Sequence, residues 1–370
     1  MSLAQRHSLN SLFLSPVYMI DFIDSIIPYI SGLYTLPWIV VGLLVTYFLS
    51  GIFGDIKVYT AMKKIGLILL FIFIPLLLFR IFLNIDFGTP EIVFSILTFQ
   101  VLALSYLVSY FFGEIEARKH GYSRIKRRVL VKTVLTNQGR SAAFVGGAML
   151  AIDEWRVPAG IYISLVGIGL FAVLPYILSV MHRNETNGAE EDLDPLPWFL
   201  KLYPWYLISF VIAAIAIHGH YGTTVQTLGD WGKILHFVTA LTIPAGLYYV
   251  GASIHPRDLK LEEMKKMFTL KKSRDTEFHW VAARNAFVAT MIITPLVVIM
   301  IFGTALLTGV IPSEWFAVLV INSILPITST NMFLIPYGID QKGTALAVTW
   351  TTVVSVPLFM LLIPLFRFIF

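Results

Sequence analysis

The chain has 370 residues, 57% of them hydrophobic and 13% charged, with a mean hydropathy of +0.79, which excludes an ordinary soluble globular domain and indicates an integral membrane protein. The absence of Cys removes disulfides, thiolate metal sites and a cysteine nucleophile from consideration. The net charge of +5 is gathered in a few loops, where it reports orientation in a bilayer rather than a nucleic-acid partner.

Residues 1–36 are moderately apolar but interrupted by Pro16, Asp21 and Asp24. They lack the order of a signal peptide and read as an interfacial helix or accessory span. A membrane helix needs about 20 mostly apolar residues. Ten stretches meet or approach that, at 37–53, 62–84, 91–113, 129–151, 157–181, 198–217, 232–253, 280–307, 315–336 and 343–369. The connections after the first, third and seventh carry Lys57, Lys63 and Lys64, then Arg118 to Arg128, then Arg257 to Arg274. The positive-inside bias puts these in the cytoplasm. An acidic linker, "NETNGAEEDLDPLP", divides the chain into a first half at 37–182 and a second at 198–370, with the linker taken as 183–197.

The halves share short matches in the same order. "IPLLLF" in the second span answers "IPAGLY" in the seventh, and "AID" closes the fourth as "GID" closes the ninth. Five spans per half is an odd number, so the second half must be inverted relative to the first, the plan of many secondary transporters. The predicted fold is therefore all-α and membrane-embedded, with ten helices in two inverted five-helix repeats.

Two stretches break the apolar pattern at matching places. In the fourth span "TNQGRSAAFVGGA" carries Asn137, Gln138, Gly139, Arg140 and Ser141; in the ninth "ILPITSTNMFLIPYGID" carries Pro326, Thr328, Ser329, Thr330 and Asn331. Gly loosens a helix, and Pro removes a donor and clashes with the preceding turn. Inside a bilayer the freed backbone groups need partners, so such breaks persist only against protein or a wet cavity. Paired breaks in inverted halves point to a substrate site, and half-helix N-termini favour an anion. These ten residues are the candidate substrate-binding set. The bland alternative is that Pro, Gly, Ser and Thr merely kink and pack helices. Arg140 is a counter-charge for a carboxylate, or is paired with Asp153, Glu154 or a backbone carbonyl, or snorkels from a span that begins later than 129. His218, His220 and His236 lie near span ends, where interfacial hydrogen bonding is expected, and Arg284 with His279 sits at the start of the eighth span.

The Asn137-x-Gly139 order, "IPAGLYYVGASIHP", Arg284 followed by Pro295, and "LPITSTNMFLIPYGIDQKGTALAVTWTTVVSVPLFMLL" together resemble the auxin efflux carrier family. That family is similar in fold to the bile acid and sodium symporters. The resemblance covers nearly all of the chain after residue 37, although the proline that often follows the family's Asn-x-Gly is missing here. It implies a scaffold domain, a transport domain whose two discontinuous helices cross at Asn137 and Pro326, and elevator-like movement of a small organic anion such as auxin or a dicarboxylate. A sodium-coupled carrier of the bile acid type, or a ligand-sensing or channel-like protein on the same fold, is the alternative.

No G-x-x-x-x-G-K-[ST], H-E-x-x-H or G-x-S-x-G motif occurs, so neither an ATP-driven pump nor a recognisable enzyme is expected. No cofactor is expected. The sequence leaves open Na+ or H+ coupling and assembly as a homodimer.

Overall fold

The structure is a computed structural model, and it describes residues 37–141, 149–150, 152–186, 197–254, 259, 261–268 and 277–369. The N-terminal segment 1–36, residues 142–148 of the first polar stretch, most of the acidic linker and half of the third basic loop lie outside the described residues.

Among the described residues every regular element is a helix: α1 Trp38–Phe53, α2 Asp55–Phe82, α3 Thr89–Lys119, α4 Arg124–Thr136, α5 Asp153–Met181, α6 Trp198–Tyr221, α7 Asp230–Ala252, α8 Leu261–Phe268, α9 Phe278–Leu307, α10 Ser313–Ser323 and α11 Gln341–Ile369, with a 3-10 helix at Ser329–Tyr337. Seven of them (α2, α3, α5, α6, α7, α9 and α11) are long and apolar enough to cross a membrane. This is the architecture of an all-α, multi-pass membrane protein. α1 is apolar but only 16 residues long.

The long helices follow local rules. α3 begins where Gly88 donates its N–H to Glu91 Oε2 at 2.8 Å and ends on Arg118 and Lys119, charges that suit the two poles of the helix dipole. α2, α5 and α9 each contain one wide π turn, at Leu69–Phe73, Gly169–Val173 and Ala289–Ile293. Each turn stands two residues before a proline, Pro75, Pro175 or Pro295. A helical proline lacks an N–H and its ring crowds the carbonyl four residues back; the wider turn makes room for it. For Pro75 that carbonyl belongs to Phe71, and it accepts a hydrogen bond from the Tyr206 hydroxyl of α6 at 2.9 Å.

α4 and α10 are different. With 13 and 11 residues they are about 20 and 17 Å long, well short of a hydrocarbon core of about 30 Å. Across 129–151 and 315–336, the two spans whose apolar pattern is broken, the helix stops at Thr136 and at Ser323, just before the polar stretches. The second stop precedes Pro326, which disfavours helical geometry in the residue before it.

The helices pack in recurring pairs: α1 on α7 and α6 on the second part of α2; α3 on α5 and α9 on α11; α4 on α3 and α10 on α9. The α1–α7 contact is set by glycine. A Cβ on Gly251 would lie 1.9 Å from the Ile39 carbonyl oxygen, and one on Gly42 would lie 2.1 Å from that of Tyr248, so two backbones touch with nothing between them.

Candidate functional site

The two interruptions meet. Arg140 and Ile327 face each other as an isolated antiparallel pair, closed by Ser141 N–H donating to the Pro326 carbonyl and Thr328 N–H donating to the Gly139 carbonyl, both at 2.9 Å. Ile327 N–H donates to Thr351 Oγ1 of α11 at 3.1 Å. Backbone groups released by the breaks are thus satisfied by each other and by one threonine, as a low-dielectric interior requires.

The ten candidate residues divide into two layers. Asn137, Gln138, Gly139, Pro326 and Asn331 form a packed polar layer. Asn137 Nδ2 donates to the Thr133 carbonyl at 2.9 Å and to Thr344 Oγ1 at 3.3 Å, while its Oδ1 accepts from Asn331 Nδ2 at 3.5 Å. Gln138 Nε2 donates to Thr290 Oγ1 at 3.2 Å, and its Oε1 accepts from Thr294 Oγ1 at 3.4 Å and from Arg140 Nη2 at 3.1 Å. Gly139 leaves room for Asn331: a Cβ there would stand 2.5 Å from Asn331 Oδ1 and 3.0 Å from Leu170 Cδ1, so one of these side chains would have to shift.

Arg140, Ser141, Thr328, Ser329 and Thr330 instead line a cavity of ≈ 80 Å³. Its other wall is apolar and comes from α2, α5, α6 and α7, through residues such as Leu70, Ile163, Phe171, Tyr203 and Tyr249. Thr328 caps the 3-10 helix by accepting from Thr330 N–H at 3.3 Å, and the two threonine hydroxyls are 2.9 Å apart.

Arg140 is 3% exposed. Its Nη2 is held by Gln138, whereas its Nη1 is buried without a hydrogen-bond partner. Asp153, weighed above as its counter-ion, is paired with Arg156. No ion pair to Arg140 occurs among the described residues. A buried guanidinium without a balancing anion is costly, so this cationic group is suited to a guest that brings negative charge. Asn331 Oδ1 and Thr136 Oγ1 are also buried without partners.

A second, larger cavity of ≈ 400 Å³ adjoins the first, lined by α1, α2, the 3-10 helix and α11, among other elements. Lys63 on its wall holds its Nζ 5.7 Å from the centre of the Phe333 ring. Tyr249 and Ser329 line both cavities.

Several contributors were not evident in the sequence. Thr290 and Thr294 look like ordinary residues of an apolar helix, although their spacing of four, placing them on one face just before Pro295, is a signal that could have marked them. Lys132 is buried and donates to the Tyr337 carbonyl at 3.2 Å, at the end of the 3-10 helix. Of the histidines expected near span ends, His218, in the last turn of α6, contacts the Thr223 carbonyl and Asp86 Oδ1, each at 3.0 Å. Among the described residues no group of three or more His, Asp or Glu is placed to hold a metal ion. No protein-family model matches the chain, and no curated protein matches it in sequence.

Proposed function

We propose that the protein is a secondary transporter, similar to the auxin efflux carriers, that carries a small organic anion across a membrane by elevator-type alternating access. The observation that carries this reading is Arg140: a buried guanidinium with one nitrogen uncommitted, beside four hydroxyl side chains, where two interrupted helices meet. A carboxylate would accept from Nη1 and from Ser or Thr hydroxyls, replacing the hydration it loses.

The ten-span inverted repeat belongs to the same proposal. The packing pairs support it, because α1 on α7 and α6 on α2, or α3 on α5 and α9 on α11, are the same contacts with the halves exchanged. α4 and α10 then correspond as the broken fourth and ninth spans. In this reading α1, α2, α6 and α7 form the scaffold, and the crossed helices move as one body with α3, α5, α9 and α11. The larger cavity, which reaches Asp55 and Lys63 in the first basic connection, is the cytoplasmic vestibule of an inward-facing state.

A second reading, coupling to sodium in the manner of bile acid symporters, is favoured by the unpartnered Asn331 Oδ1 and Thr136 Oγ1, since a hard cation takes neutral oxygens.

The test has two stages. A thermal-shift screen against small carboxylates, with and without sodium, finds the anion, because a ligand that binds the folded form raises Tm. Counterflow in proteoliposomes then asks whether external unlabelled anion drives accumulation of the labelled one. Exchange supports a carrier; binding without exchange supports the sensing alternative and contradicts transport.

A further inference from the structure

Among the described residues, one aromatic ring lines both the vestibule and the cavity that holds Arg140. Tyr249 of α7 lines both spaces and is half-buried. Its outer edge rests on the backbone of α2 at Gly66: a Cβ there would lie 2.7 Å from the ring Cζ, 2.8 Å from the hydroxyl oxygen and 2.9 Å from Cε2. Gly66 is buried and lies mid-helix, where glycine costs about 1 kcal/mol relative to alanine. Its presence is explained by the ring, which needs the space a methyl would fill. Across from α7, the described residue common to both spaces is Ser329, at the start of the 3-10 helix. The two spaces therefore adjoin where a tyrosine of α7 and a serine of the 3-10 helix line both.

We infer that Tyr249, seated on Gly66, is the gate between the two cavities and sets the bulk of the anion that can reach Arg140. The inference rests on the carrier reading for its purpose but not for its test. The ring lies against α2 with its polar tip toward the backbone, so it closes the passage by size rather than by charge. Opening requires the Tyr249 side chain to leave its seat on Gly66, or the 3-10 helix to separate from α7 as the two bodies shift. The small residue at 329 leaves the ring as the bulkier side of the constriction.

The cysteine-free chain makes this measurable. A single cysteine is placed at Ser141, on the Arg140 side, or at Ser253, which lines only the vestibule. Membrane vesicles exposing the vestibule are treated with the small anion 2-sulfonatoethyl methanethiosulfonate or with a bulky stilbene-disulfonate maleimide. In the Tyr249 background, Ser141→Cys reacts slowly with the small reagent and hardly at all with the large one. Tyr249→Ala raises both rates about tenfold or more, as removal of a lid should, and Tyr249→Leu, a variant that keeps an apolar side chain for folding, raises them by an intermediate factor. Rates at Ser253→Cys do not change. Equal rates at Ser141→Cys in the Tyr, Leu and Ala backgrounds would overturn the gate. Labelling needs no transport, so if no anion shows counterflow while the rates still respond, the carrier reading falls and the gate stands. If counterflow is present and the rates are flat, only the gate falls.

Discussion

The α1–α7 interface and the crossing of the two interrupted helices both bring main chains into direct contact, and both use glycine to do so. At α1–α7 the contact is between intact helices: Gly42 and Gly251 each lie against a carbonyl of the other helix, and every backbone bond stays within its own ladder. At the crossing the ladders are open. Gly139 lies against the Asn331 side chain, and carbonyls at Gly139 and Pro326 are satisfied across the gap. Tight packing of closed helices yields a rigid joint with no chemistry. Joining two open ends yields a polar layer, and beside it one cation whose hydrogen bonding is incomplete.

The largest effect that would probe this contrast is at the rigid joint. Gly251→Val places a branched side chain where a backbone oxygen already stands, and neither helix can yield locally. Overpacking against main chain should cost about 3 kcal/mol or more, read as loss of monodisperse protein or a steep fall in Tm. If the variant melts like the wild type, α1 does not pack on α7 in this way.

At the crossing the neighbour is a side chain, and the cost is smaller. Gly139→Ala pushes Asn331 Oδ1 away and strains its bond to Asn137, with an expected loss of about 2 kcal/mol. Anion binding should weaken along with Tm, whereas a Gly251 variant that still folds should retain its affinity. Thr351→Val removes the acceptor for Ile327 N–H at nearly constant volume. One buried amide left unpaired should lower stability by about 1 kcal/mol or somewhat more.

The smallest effect is at Asp340, just outside α11. Its carboxylate caps that helix by accepting from Gly343 N–H at 3.1 Å. Burial raises its pKa above the ordinary aspartate value, and the Gly343 bond and the nearby His279 and Lys342 charges oppose the shift. The folded protein therefore holds this proton more tightly than the unfolded chain, and stability falls as pH rises from the unfolded-state pKa through the folded-state pKa. Asp340→Asn keeps the cap and removes that loss. Its Tm should match the wild type in acid and exceed it modestly at neutral pH; a lower Tm at every pH would show that the charge itself stabilises the turn.

The long apolar stretches were legible because length and hydropathy are set by the bilayer, and both breaks were legible because Pro326 and Gly139 weaken a helix by local chemistry alone. The position of Arg140 within the first break was also plain. What the sequence hid is relational. Nothing in Ile327 says that it faces Arg140, since its side chain is as apolar as its neighbours and the pairing runs through backbone. The apolar wall of the cavity, Leu70, Ile163 and Tyr203 among it, is composed like any membrane helix. Nor did the ten polar candidates announce which would line open space. Asn137 spends its side-chain hydrogen bonds on Asn331, α4 and α11, while Ser141 and Thr330 reach the cavity. The π turns escaped because a proline in an apolar run signals a kink without specifying how the ladder reopens.

The most direct measurement compares wild type, Arg140→Ala and Arg140→Lys for the anion that gives the largest thermal shift. Each protein is purified, its ligand-free melting recorded, and its counterflow measured. Arg140→Ala should fold, because it removes an unbalanced buried charge, yet lose both the ligand-induced shift and exchange. Arg140→Lys, keeping charge without the planar fork, should retain a weakened fraction of each. Wild-type exchange by Arg140→Ala would contradict the claim that this guanidinium holds the transported anion.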